Sequence, residues 1–164
     1  MVGSGSAVGT REHRRRFYVD FDHPLTKGVF VVQDSSTNGR RWRINTPEFN
    51  KFTEAEDGFT LTAPNGSSLK FTVLNKDKSI KLDTGKVPYG GKTKQHNFGI
   101  VYQGQGYPFS RYVDVICDLN ITVVMTLQPA NETHPEVRIE NGTIRVGEQP
   151  LNLPSPLLSN RQTE

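Results

Sequence analysis

"VFVVQDSSTNGRRWRIN", residues 29–45, sets two apolar runs on either side of Ser35-Ser36-Thr37-Asn38-Gly39. On its C-terminal flank Trp42 and Ile44 alternate with Arg41 and Arg43. A period of two puts successive side chains on opposite faces of an extended strand. Asn-Gly tolerates the two consecutive positive φ angles that a type I′ turn requires. The stretch therefore reads as a β-hairpin with a long tip.

The same pattern recurs outward from it. Asn-Gly stands at 141–142 in "VRIENGTIRV" and at 65–66 in "FTLTAPNGSSLKFTV", where Pro64 loosens the loop. "FYVDF" (17–21), "SLKFTV" (68–73), "YVDVIC" (112–117) and "NITVVMTL" (120–127) alternate likewise. Only "TPEFNKFTEAED" (46–57) offers a helical face: Thr46 as cap, Pro47 first, then Phe49, Phe52 and Thr53 together. That predicts one or two helical turns.

The expected fold is all-β: an antiparallel β-sandwich or flattened barrel of about eight to ten strands, with at most one short helix. The expected limits are a flexible basic leader at 1–14, a single β domain at 15–148, and a Pro-rich tail or linker at 149–164. If the tail docks, Leu151, Leu153, Leu157 and Leu158 would do so.

Nine Phe and five Tyr supply apolar bulk within a hydrophobic content of 34%. No run approaches the ~18 apolar residues of a membrane span. Net charge is only +3, but basic residues cluster at Arg11, Arg14, Arg15 and Arg16 and again at Arg40, Arg41 and Arg43. The first cluster suits a nucleic-acid arm on the structural subunit of a viral or other particle. RRM, zinc-finger and helix-turn-helix signatures are missing.

Cys117 is the only cysteine, which rules out an intrachain disulfide or a multi-thiolate metal site. Four sequons, at Asn65, Asn120, Asn131 and Asn141, offer glycosylation acceptors and point to a secretory or luminal setting. The lone cysteine, and an N-terminus without the apolar centre of a signal peptide, point the other way. The compartment and the oligomeric state stay open.

No motif commits the chain to catalysis. "GGKTK" (90–94) lacks the glycine and the following helix of a phosphate-binding loop. "DFDH" (20–23) places Asp20 and Asp22 on one strand face with no further acid nearby to complete a cation site. The four histidines, 13, 23, 96 and 134, are scattered, and proline after His23 and His134 suits exposed loop positions. Alternation puts Cys117 among core side chains, and no G-x-S-x-G elbow occurs. The reading is a non-enzyme with no cofactor and no metal.

"NFGIVYQGQGYPFSRYVDVICDLN" (97–120) gathers aromatic rings, Tyr112 among them, and an arginine around a glycine turn. Such a combination lines sugar or peptide grooves. The candidate ligand-binding residues are Tyr102, Gln103, Tyr107, Phe109 and Arg111. Apolar-apolar-Tyr, a Gly-containing turn, an Arg and then "V-I-C-D" resemble mannose-6-phosphate-receptor-homology lectin domains. "FVVQDSSTNGRRWRIN" is similar to the opening hairpin of that family. The resemblance implies a β-rich lectin-like fold that binds sugar beside Arg111. The chain departs from the family in lacking paired cysteines and the Glu and Tyr that follow "C-D".

The expected function is thus a non-enzymatic recognition module that binds protein or glycan through the 83–112 loop and turn region. The alternatives are the particle subunit with its basic arm and, third, an enzyme whose site is built from loops.

Overall fold

In the computed structural model of the chain, the described residues are 2–7, 13–36, 40–74, 81–88, 100–102, 104–107, 109–117 and 120–153. They form strands, turns and loops, with no helix among them. In chain order the first strands are Val2–Ala7 (β1), His13–Asp20 (β2), Gly28–Ser36 (β3), Arg40–Pro47 (β4) and Lys51–Ala55 (β5). Gly58–Thr62 (β6), Ser68–Val73 (β7), Lys81–Pro88 (β8), Ile100–Tyr102 (β9) and Gln105–Tyr107 (β10) follow. The last are Phe109–Cys117 (β11), Asn120–Gln128 (β12), Val137–Glu140 (β13), Thr143–Val146 (β14) and Gln149–Pro150 (β15).

All pairings are antiparallel, and they build a sandwich-like fold. A seven-stranded sheet runs β1-β2-β3-β12-β7-β6-β5. Three-stranded sheets run β4-β11-β8 and β13-β14-β15, and β9 with β10 makes a short ribbon.

Residues 29–45 do not fold as the hairpin the sequence predicts. β3 pairs with β2 and β12, whereas β4 pairs with β11 in the other sheet. The chain changes sheets between Ser36 and Arg40. It does so again between Cys117 and Asn120, where Cys117 faces Arg40 and Asn120 faces Ser35. Two long segments thus pair first in one sheet and then in the other, which is how sandwiches form their corners.

The other two Asn-Gly turns are hairpins. Glu140 faces Thr143 across Asn141 (φ 50°) and Gly142 (φ 75°), the type I′ geometry. At 63–67 the Gly66 N–H bonds the Ala63 carbonyl at 2.9 Å and Ala63 N–H bonds Ser67 at 2.8 Å. Proline at the second position of that turn makes a three-residue tip between β6 and β7.

The helix expected within 46–57 is absent. Asn50 N–H closes one turn onto the Pro47 carbonyl at 3.1 Å, and β5 begins at the next residue. In β5, Phe52 faces Leu61 and its ring tilts onto Phe59, centroids 5.6 Å apart. An isolated helix of two turns has a nucleation cost that it cannot offset, and strand pairing with ring contact wins.

Two apolar clusters cover the two faces of the seven-stranded sheet. On one, Val32, Phe59, Leu61, Phe71, Val73, Ile121, Val123 and Met125 meet Trp42, Val113 and Val115 of the β4-β11-β8 sheet. Phe71 is central: it stacks on Phe59 at 4.3 Å and lies 6.1 Å from the Trp42 ring of the facing sheet. On the other, Val29, Val31 and Val124 pack under Val137, Ile144 and Val146 of the small meander. A fully buried Val or Phe contributes roughly 1.5–3 kcal/mol.

The sheets extend past the expected limits of 15–148. β1 lies within the predicted leader, where its run of Gly and Ser gives no period-two signal, and it pairs with β2 from Val2 to Ala7. Leu151 and Leu153 are buried in the second cluster, so the start of the predicted tail docks. Leu157 and Leu158 lie outside the described residues.

Gly58 gives the sharpest test of this packing. At φ 152° an added Cβ would overlap the Phe71 carbonyl oxygen, and only a backbone shift could relieve it. Gly142 has nothing within 4 Å of that position. Gly58→Ala is expected to cost about 3 kcal/mol or more in urea unfolding. Gly142→Ala is expected to cost only about 1 kcal/mol, the left-handed backbone penalty.

Candidate functional site

Along β11, Val113 and Val115 face the core, so Arg111 shares their inward side while Tyr112 and Asp114 point outward. Arg111 stands where the sheet leaves the core. It lies directly across from Thr46 on β4 and Lys86 on β8. Thr46 is buried and its hydroxyl bonds the Asn50 side-chain amide at 2.7 Å. Lys86 Nζ meets the Glu48 carboxylate at 3.2 Å.

Arg111 and Lys86 are like charges directly opposite one another, an unfavourable cross-strand pair. Glu48 compensates one of them through Lys86. The Arg111 guanidinium makes no hydrogen bond or ion pair with any described residue, and its Nε is buried without a partner. Asn50 Oδ1, on the same corner, is likewise buried and unpartnered. Among the described residues, Lys86 therefore has a carboxylate partner at this end of the sandwich and Arg111 has none. Phe109, two residues from Arg111 on the same strand face, is 39% exposed beside it.

The backbone places Tyr102 and Tyr107 on β9 and β10, and Tyr112 on the other face of β11. Tyr102 and Tyr107 belong to the β9–β10 ribbon, facing Gln105 and Ile100 respectively. Gln103 lies outside the described residues. Tyr112 is on the opposite face from Phe109 and Arg111, laid so closely over Gly85 that a Cβ there would meet the ring at 2.7 Å. Alternation along β11 puts Phe109, and not Tyr112, on the Arg111 face.

The predicted arm is split in the same way. Arg14, Arg15 and Arg16 sit in β2, within a sheet. Arg14 is exposed, Arg16 is half-buried and engaged, and Arg15 grips the buried Asp34 through Nε and Nη2 at 2.7 and 2.6 Å. That bond raises the Arg15 pKa above its ordinary value. Arg11 lies outside the described residues. The four sequon asparagines, Asn65, Asn120, Asn131 and Asn141, are all exposed.

Two arrangements escape sequence reasoning. On the outer face of β4-β11-β8, Asp114 is fully buried beneath Arg43, which bonds both carboxylate oxygens at 2.7 Å, and Arg41 at 3.2 Å. The Arg43 guanidinium also lies 4.1 Å above the Tyr112 ring. The Asp114 hydrogen bonds raise the Arg43 pKa. Alternation already places Arg41 and Arg43 together and Asp114 outward; the missing signal is that β4 pairs with β11.

The second concerns His23 and His134, expected on exposed loops. His23 is buried, and both nitrogens of His134 are bonded, Nε2 to Ser68 Oγ and Nδ1 to Thr126 Oγ1, each at 2.8 Å. Ser68–His134 has the spacing of a nucleophile and its base, but a neutral threonine stands where Ser-His hydrolases carry a carboxylate.

Among the described residues no group of three or more His, Cys, Asp or Glu could hold a metal ion, and no helix is long and apolar enough to cross a membrane. Comparison with family models, curated proteins and solved structures finds no match. The likeness to mannose-6-phosphate-receptor-homology lectins therefore stands on the sequence pattern alone.

The Arg43–Asp114 pair yields a stability test. Asp114→Ala leaves two neighbouring arginines without their shared counter-charge. Because water can reach both arginines, the expected loss is about 2 kcal/mol, below that of a fully buried pair. Urea unfolding at low and high salt measures it, and added salt should narrow the gap to wild type.

Proposed function

We propose that this chain is a recognition module whose ligand-binding end is the corner formed by Arg111, Lys86, Glu48, Thr46 and Phe109. The carrying observation is Arg111, whose Nε is buried without a hydrogen-bond partner and which forms no ion pair among the described residues. The other two strongly oriented arginines, Arg15 and Arg43, each have a buried carboxylate partner. A planar cation with no structural partner matches a carboxylate or phosphate, which it can bind through two parallel N–H donors.

Within the expected classes, protein or glycan, the chemistry favours a glycan bearing a carboxylate or phosphate. An exposed ring beside the cation suits the apolar face of a sugar. Lys86 stands at the rim, but Glu48 offsets its charge, so Arg111 carries the contact with the anion.

Binding of acidic and neutral oligosaccharides to the purified chain, with acidic peptides as a parallel arm, tests the reading. Arg111→Ala should lower affinity for the acidic ligand at least tenfold while the melting temperature stays within about 2 °C of wild type, since no bond to a described residue is lost. Arg111→Lys should recover part of the affinity. A preference for neutral sugars, or equal losses of binding and stability, would overturn the proposal. Binding confined to acidic peptides would retain the site and replace its ligand.

A further inference from the structure

The meander β13-β14-β15 lies as a cover over Val29, Val31 and Val124, and two loops tie it down. One is the 129–136 strap that leads into β13; the other is the 21–27 loop before β3. Gln128, buried at the end of β12, joins them: its Nε2 donates to the Leu25 carbonyl at 2.8 Å and to the Thr133 carbonyl at 3.0 Å. Thr26 Oγ1 adds a bond to the Leu127 carbonyl at 2.6 Å. The Leu25 side chain presses against the β14–β15 turn, where a Cβ on Gly147 would lie 2.5 Å from it.

A histidine completes each loop. His134 bridges β7 and β12 through both ring nitrogens, pinning the strap across the sheet. His23 Nδ1 accepts the Leu25 backbone N–H at 3.3 Å, so its proton resides on Nε2, which has no partner. A second proton would set N–H against N–H at Nδ1 and break that bond. The Ser68 and Thr126 hydroxyls can accept from a doubly protonated His134, so at that residue it is the added charge near Lys70, not a broken bond, that loosens the strap. We propose that the two histidines form an acid-released latch, His23 by losing the Leu25 bond and His134 by gaining a charge near Lys70, and that their protonation frees the β13-β14-β15 cover from the seven-stranded sheet.

The charges around the latch support release. Lys70 on β7 acts on His134 and already holds Asp57 at 2.9 Å, so a protonated imidazole would add a cation beside a cation. Asp20 at the end of β2 opposes the effect at His23, but burial outweighs it. The cover's own Arg138 is engaged by Glu136 and Glu148 at the surface. Burial first, and Lys70 second, lower the His134 pKa; burial lowers that of His23.

The sign follows from linkage. Groups whose folded pKa is depressed bind protons more readily once released, so their contribution is complete above the ordinary histidine value of about 6.5. It is lost as pH falls through the folded values. Because release exposes three valines of the sheet, the freed state presents an apolar face.

Hydrogen exchange of the full chain at pH 7.5 and 5.0, corrected for intrinsic rates, tests the latch. Protection of 137–150 should fall at least tenfold, while that of 109–117 changes less than twofold. Binding of an apolar fluorescent dye should rise in parallel. The double variant His23→Gln/His134→Gln should lose this pH dependence. Uniform loss of protection in all sheets, unchanged protection of 137–150, or a folded double variant that keeps the wild-type profile would each overturn the proposal. If the variant does not fold, local against uniform loss in the wild-type chain still decides.

Discussion

β12 is buried on both faces, and the rest of the fold follows from that constraint. Ile121, Val123 and Met125 point to one side and Val124 and Thr126 to the other, all of them buried. A strand apolar on both sides must lie inside a sheet and must be covered twice. β3 and β7 flank it, so its backbone from Val123 to Leu127 is paired on both edges. The β4-β11-β8 sheet covers one face through Trp42, Val113 and Val115; the small meander covers the other through Val137, Ile144 and Val146. Neither cover has enough apolar surface to stand alone, because a three-stranded sheet keeps its hydrophobic face only by burying it on something else.

Buried carboxylates give this apolar arrangement its register. Asp34 meets Arg15 directly across β3 and β2, and Asp114 meets Arg43 directly across β11 and β4. A one-residue slip of β4 would turn Trp42 outward and Arg43 into the core, and would leave Asp114 without its counter-charge. Hydrophobic burial sets which face is inside; the ion pairs penalise the wrong alignment. Arg111 belongs to the same strand as Asp114 but to its other face, and among the described residues no carboxylate pairs with it. A residue type that elsewhere in this chain fixes register is here left with unused donors.

Much of the architecture is legible in period two. "NITVVMTL" and "YVDVIC" mark β12 and β11, and the Asn-Gly turns at 65–66 and 141–142 close the hairpins they predict. The unbroken Val123-Val124-Met125 run within the first also carries the sign of two-sided burial. Residues 29–45 mislead because a turn signal fixes local direction and not strand partners. Whether β4 returns beside β3 or crosses to another sheet depends on β11, some seventy positions away in the chain. His23 and His134 mislead for a related reason: proline after a histidine reports a loop, and loops fold back over sheets. Of the candidate site, Arg111 and Phe109 are recoverable from alternation, but Lys86, Thr46 and Glu48 join them only through pairing across three strands.

The candidate binding end and the histidine latch lie on opposite faces of the seven-stranded sheet. Arg111 belongs to the layer built on Val113 and Val115, the latch to the layer built on Val29, Val31 and Val124. Between them stands β12, whose side chains serve both layers and whose backbone is paired on both edges. Close-packed interiors transmit displacement only where an element has two stable arrangements. β12 offers none, since moving it would strip both clusters at once. The guanidinium also keeps its charge at any pH where the histidines titrate. Acid release of the cover would therefore present a second, apolar surface without altering the proposed anion-binding corner, so on this proposal one chain holds a charged ligand through one layer while it opens the other.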